Sequence, residues 1–177
     1  LLDAKEHAAQ YDDYAYKYHR LDEYLTSVRN ISGHKREIAI NDLIDDLEAK
    51  AGHLSKWLRE KEWLAEGFFN GYYDNQGRRV EGKAEGEAVR MLLPSQVFAI
   101  MSGVATQEQI RKAWGSIKKY LQDKKLGGFR LNTNFNAYHN LDLGRAFGFS
   151  YGDKENGAFF SHMVVMFAYA LYKQGYA

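Results

Sequence analysis

The sequence predicts an all-α fold with a small β-hairpin and long glycine-rich loops, and three observations carry that prediction. Apolar residues recur at three- and four-residue steps along three long segments. The third of these opens with a capping box, Thr106-Gln107-Glu108-Gln109. Fourteen of the 16 glycines fall after residue 66, where they punctuate long connections between apolar stretches.

Taken in order, the first predicted helix covers residues 4–29, with Tyr11, Tyr14, Tyr18, Leu21 and Leu25 along one stripe. The turn chemistry of residues 30–33 ends it. A second helix is predicted over 38–64, with Leu43, Leu47, Ala51, Leu54 and Leu58 on one face and Asn41 or Asp42 as its cap. Gly52 lies inside it and weakens it slightly. Residues 68–80 read as the small hairpin, turning at Asp74-Asn75-Gln76-Gly77. Residues 97–102 suggest a short buried helix, and Pro94 suits its first turn. After Thr106 the stripe Ile110, Trp114, Ile117 and Leu121 predicts the third long helix, stopped by Gly127-Gly128. An irregular stretch over 129–154 leads to a last apolar helix at about 156–174, whose Met163, Met166, Phe167 and Leu171 read as core.

Composition narrows the function. Twenty-four Lys and Arg against 23 Asp and Glu give a net charge of +1, which argues against a general nucleic-acid binder. The basic residues of 111–125 read as one solvated helix face. No apolar run reaches the ~18 residues of a membrane span, and no signal peptide opens the chain. With no cysteine, thiolate metal sites, disulfides and cysteine nucleophiles are excluded, and a reducing compartment is suited. The six histidines show no metal-ligand spacing, so no metal is expected. Aromatics make up 15% of the chain, and Tyr and Trp beside polar residues line sugar-binding clefts as well as cores. The two parts differ in charge: residues 1–66 carry 14 acidic and 10 basic side chains, residues 67–177 carry 9 and 14. We treat 1–177 as a single region, with generic helices over 1–66 and the informative motifs over 67–177.

The densest polar chemistry lies in residues 144–162. Arg145, Asp153, Lys154, Glu155, Asn156 and His162 alternate there with glycines and aromatics. A helix starting near Glu155 would put Glu155, Phe159 and His162 on one face. Its free N–H groups would suit an anion or a sugar oxygen. By pattern alone a single histidine in an apolar helix is more often a hydrogen-bonded core residue than a ligand. Lys154 and Glu155 read equally as a solvated ion pair.

The run Lys154-Glu155-Asn156-Gly157, followed by Phe159 and His162, resembles the signature of the inverting glycoside phosphorylases of glycoside hydrolase family 94. Residues 68–80, beginning Phe68-Phe69-Asn70-Gly71-Tyr72-Tyr73-Asp74, resemble a second motif of that family. Gln96-Val97-Phe98-Ala99-Ile100-Met101-Ser102-Gly103 resembles a third, in the same order. The resemblance extends over about residues 63–177. Asn70-Gly71-Tyr72 departs from the arginine-containing form common in cellobiose phosphorylases. With Val89-Arg90-Met91 and Ser161-His162-Met163, it is more similar to the β-1,2-oligoglucan phosphorylase branch.

The resemblance implies part of an (α/α)6 barrel and reversible phosphorolysis of a β-linked glucoside with inversion, giving glucose 1-phosphate. Phosphate attacks the anomeric carbon while one carboxylic acid protonates the departing oxygen, so no protein base is needed. It implies His162 as a phosphate-binding residue and Lys154 and Glu155 as binders of the acceptor sugar. Arg145 has no counterpart. The oligosaccharide and inorganic phosphate would be partners, with no further cofactor, no nucleic acid and no membrane. A homo-oligomer and a cytoplasmic location are expected. The family's tryptophan-containing acid motif is absent; Asp12-Asp13 and Asp45-Asp46 read as solvated helix faces. The general acid is therefore expected upstream of Leu1, in a longer polypeptide, and a barrel fragment should expose apolar edges and associate. Two other readings stay open: a non-catalytic helical carbohydrate-binding or assembly module, and an inverting hydrolase on the same barrel.

Overall fold

A computed structural model describes residues 10, 12–30, 32–84, 86–136 and 142–176. The chain divides into two compact units, Leu1–Lys56 and Trp57–Ala177, with the boundary on the N-terminal side of the compositional change.

The first unit holds α1, Tyr14–Ser27, and most of α2, Ile40–Lys61. Asp13 caps α1, its carboxylate accepting from the Tyr16 N–H at 2.7 Å. That cap places the start well after residue 4; residues 4–9 and Tyr11 lie outside the described residues. In α2 the helix begins at Ile40, so Asn41 and Asp42 sit inside the first turn rather than capping it. Asp42 still suits the positive helix end there, as Arg59 and Lys61 suit the negative end. Gly52 meets no neighbouring atom and the helix runs through it. The predicted stripes form, yet Tyr18, Leu21, Leu25, Leu47 and Leu54 are exposed. The acidic pairs are not simply solvated. Asp12 pairs with His53 at 2.7 Å, and Asp46 is buried and bound to Lys50 at 2.7 Å.

The second unit carries the core. Helices α3 (Leu93–Met101), α4 (Gln107–Tyr120) and α5 (Ser161–Lys173) surround it, α3 packing on both others. Pro94 sits in the first turn of α3, where its missing N–H is harmless. The capping box of α4 forms in both directions, Thr106 Oγ1 accepting from Gln109 N–H and Gln109 Oε1 from Thr106 N–H. Ile110, Ile117 and Leu121 are buried with Phe68, Met91, Leu93, Val97, Ile100 and Phe167. Trp114, Phe129 and Phe167 meet as a trio of rings 5.4–5.8 Å apart. Of the C-terminal stripe, Met163 and Phe167 are buried, and Met166 and Leu171 pack against them. A smaller cluster joins Val80, Leu143, Phe135 and Phe147, the last two stacked at 4.8 Å.

In the second unit, pairing with other segments moves three further boundaries. Helix α4 stops at Tyr120, before Gly127-Gly128, because Gln122 pairs back onto Phe129 and the chain turns at Asp123. The hairpin shrinks to the single Tyr73–Arg79 bridge, because side chains replace the next ladder rungs. The Asn70 carboxamide accepts from Glu81 N–H, and the Glu81 carboxylate accepts from Gly71 N–H. Helix α5 begins at Ser161 rather than 156, because the Ala158 carbonyl is taken by Leu131 N–H at 3.0 Å, which holds that segment extended. The described residues are thus mostly helical with isolated bridges, and none of their helices is long and apolar enough to cross a membrane.

Candidate active-site surface

Two polar assemblies stand out in the second unit. One is buried; Asn70 and Gln96 fall in the second and third motifs, but sequence alone assigns no member of it a role. Glu62, Asn70, Glu81 and Gln96 are almost completely enclosed. Gln96, the first residue of the third motif, pairs with the main chain of Phe69 in both directions at 2.8 Å, as a strand would. Glu81 accepts from Gly71 N–H, Leu92 N–H and the Ser95 hydroxyl at 2.6–2.7 Å. Burial pushes its carboxyl up to about 7 against the opposing pull of those donors. Glu62 receives the Trp57 indole N–H at 3.0 Å, the Tyr73 hydroxyl, Asn70 at 3.0 Å and Arg79 at 3.3 Å. Gly71 explains one departure from the related motif: a β-carbon there would lie 2.6 Å from Ser95 Oγ. The signal for this assembly is weak in sequence, because its members are polar residues scattered over 35 positions and joined only by folding.

The other assembly is the surface turn that carries the predicted site residues. Lys154 has φ +46°, a left-handed conformation that a side chain disfavours. Around it Asn156 N–H donates to the Asp153 carbonyl and Gly152 N–H to the Asn156 carbonyl at 2.7 Å. Lys154 and Glu155 are exposed. Lys154 Nζ stands 4.7 Å from the centre of the Phe149 ring, and the Arg145 guanidinium lies 5.6 Å from the same ring. Arg145 pairs with Glu155 at 3.3 Å, which gives this unassigned arginine a place beside the predicted sugar binders.

His162 lies at the start of its helix rather than in the middle. It occupies the first turn of α5, exposed, with its ring against Phe160. The later helix start overturns the expectation that Glu155, Phe159 and His162 share a helix face, since Glu155 and Phe159 precede the helix. It also excludes the core-histidine reading and puts His162 near free N–H groups at the positive helix end. The structure therefore brings Arg145, Lys154 and Glu155 together. No hydrogen bond or ion pair among the described residues links His162 to them. None of these residues lines the apolar cleft of about 530 Å³ formed by Phe69, Tyr72, Ser95, Phe98 and their neighbours.

Residues that the sequence did not mark hold the turn from beneath. Asn132, buried, donates to the Asn156 carboxamide at 3.0 Å and accepts from Gly157 N–H at 2.8 Å. Asn156 in turn donates to the Phe149 carbonyl at 2.7 Å, and the Tyr151 hydroxyl to the Asn132 carbonyl at 3.1 Å. Gly157 has φ +76°, and a β-carbon would lie 2.2 Å from the Tyr151 ring, so only glycine fits. Burial raises the Tyr151 hydroxyl. Asn156 and Gly157, which belong to the signature run but carry no assigned role there, are the turn's anchors.

Comparisons with known proteins identify the family. The model of the glycosyl hydrolase 94 superfamily, catalytic domain, matches residues 28–176. N,N'-diacetylchitobiose phosphorylase from Vibrio proteolyticus is 32% identical over 115 residues, 65% of this chain. The chain spans only 13% of the length of that relative. A match over most of the chain settles the family: the protein belongs to the glycosyl hydrolase 94 superfamily and carries part of its catalytic domain.

Proposed function

We propose that this chain supplies the phosphate and acceptor-sugar contacts of an inverting glycoside phosphorylase built on an (α/α)6 barrel. The reaction is reversible phosphorolysis of a β-linked glucoside to glucose 1-phosphate. The observation that carries this reading is the surface of 145–162 itself: Lys154 and Glu155 open to solvent on an anchored turn, with an exposed His162 in the first turn of α5. The relative's designation as a phosphorylase supports the reaction class.

In this reading an imidazole N–H of His162 and the positive helix end hold the phosphate dianion. Phosphate oxygen attacks the anomeric carbon from the face opposite the leaving sugar, which inverts the configuration. Lys154 donates to, and Glu155 accepts from, hydroxyls of the departing sugar, with Arg145 steadying Glu155. A carboxylic acid outside these 177 residues protonates the leaving oxygen. Within the second unit, the buried Glu62, Asp74 and Glu81 are engaged in hydrogen bonds, which suits an acid supplied from elsewhere.

The test is to incubate the polypeptide in which this chain occurs with β-linked gluco-oligosaccharides, with and without phosphate. Glucose 1-phosphate released only in the presence of phosphate is expected. Release of free sugar at the same rate without phosphate would replace this reading with a hydrolase. Binding without turnover would replace it with a carbohydrate-binding module.

A further inference from the structure

We propose that Arg130, gripped by Asp123, is the positioning residue of the Lys154–Glu155 turn and thereby sets affinity for the acceptor sugar. The inference rests on the sugar-binding role given above to Lys154 and Glu155, and nothing in the sequence pattern assigns either Arg130 or Asp123 to the site.

A non-glycine residue at φ +46° persists only where its surroundings overdetermine it. The turn's own hydrogen bonds are short-range. Its C-terminal foot, Gly157, is instead tied to the rest of the unit by two side chains, Asn132 at the N–H and Arg130 at the carbonyl. Arg130 Nη1 donates to the Gly157 carbonyl at 2.9 Å. Its Nε and Nη2 both donate to Asp123 Oδ2, at 3.1 and 2.7 Å.

Asp123 cannot follow a moving arginine. Its other oxygen accepts from Lys125 N–H and Leu126 N–H, both at 3.0 Å, closing the turn after α4. The Leu126 and Arg130 donors hold its carboxyl below the ordinary range. Both side chains are partly buried, at 23% and 18% exposure, so solvent screens this pair less than a fully exposed one. The guanidinium carbon also lies 4.8 Å from the Phe159 ring centre and 5.6 Å from that of Tyr151. Three donors in a fixed fork, used on a carboxylate and a carbonyl between two rings, need arginine; an ammonium supplies neither the fork nor the stacking plane.

A rigid support matters here because the groups it places are exposed and have few other constraints. A displacement of about 1 Å at Lys154 and Glu155 is enough to cost up to ~100-fold in a positioned interaction. His162 sits on α5, which packs on α3, and among the described residues no hydrogen bond joins it to Arg130, so its phosphate contact should depend on the clamp less than the turn does.

Two measurements on Arg130→Met and Arg130→Lys test the proposal. The first is amide hydrogen exchange of the 177-residue chain without ligand. Gly152, Asn156 and Gly157 should exchange about tenfold faster in both variants, with the amides of Ile100 and Phe167 unchanged. Unchanged exchange at the turn, faster exchange everywhere, or full protection restored by lysine would each overturn it. The second is kinetics of the longer enzyme in the synthetic direction. The KM for the acceptor sugar should rise about tenfold, while kcat and the KM for glucose 1-phosphate stay within threefold. A fall in kcat with acceptor KM unchanged would make the role merely structural. If wild-type enzyme forms no sugar phosphate, the phosphorylase reading fails, and faster exchange confined to the turn still separates the clamp from that failure.

Discussion

The two polar assemblies of the second unit use the same residue types to opposite ends. Around Glu62 and Glu81, carboxylates and amides are enclosed and matched to named partners, so their chemistry is spent on joining residues 69–71, 80–82 and 92–96. Around Lys154 and Glu155 the burial is reversed. Asn132, Asn156 and Gly157 are engaged below, and the charged groups above face water. The difference teaches how to read a motif in which every residue looks chemical. The enclosed members build the platform, and the exposed members are left for a ligand.

Breaking the enclosed assembly should have the largest effect. Glu81→Ala leaves Gly71 N–H, Leu92 N–H and the Ser95 hydroxyl without an acceptor, at 1–3 kcal/mol for each buried group (by order of magnitude). A loss of about 3 kcal/mol is expected by urea denaturation at pH 5. The loss should shrink towards pH 8, and the sign follows from the raised carboxyl. Between about 4.5 and about 7 the folded state keeps a proton that the unfolded state has released, so wild-type stability falls as pH rises through that window. The fall is at most about 3 kcal/mol. A wild-type stability flat between pH 4.5 and 7 would remove this electrostatic account of the hub.

At the turn the expected loss is intermediate and local. Gly157→Ala forces a side chain into a left-handed φ and against the Tyr151 ring, for roughly 2–3 kcal/mol if the turn holds its shape. Acceptor-sugar affinity should drop with it, while the α4 capping box and the core stay intact by hydrogen exchange. Equal loss of protection in the turn and in the core would show that the two assemblies are not separable.

The elements that were legible in the sequence are those whose cause is local. Thr106-Gln107-Glu108-Gln109 forms the capping box it spells, because donor and acceptor lie within one turn. The signature run around Lys154 was recognisable because its residues are contiguous. The start of α5 was not, because Phe159 and Phe160 continue the apolar pattern, and only a bond from Leu131 N–H pulls Ala158 into an extended form. The hub and the Arg130 clamp were hidden for the same reason. Glu81 and Ser95, or Arg130 and Gly157, meet only after the chain has folded. The exposed stripes of α1 and α2 were correctly read as faces, but sequence periodicity says nothing about whether a face is covered.

The smallest effect on stability should come with the largest effect on chemistry, at His162. It is exposed, so His162→Ala should change stability by less than about 0.5 kcal/mol. The most direct test of the central claim is the phosphate KM of that variant in the longer enzyme, measured at saturating oligosaccharide. We expect it to rise at least about tenfold, in line with ~1.5–3 kcal/mol for a hydrogen bond to a charged group, with the oligosaccharide KM little changed. An unchanged phosphate KM, or undiminished turnover with no phosphate present, would contradict the placement of phosphate at this histidine.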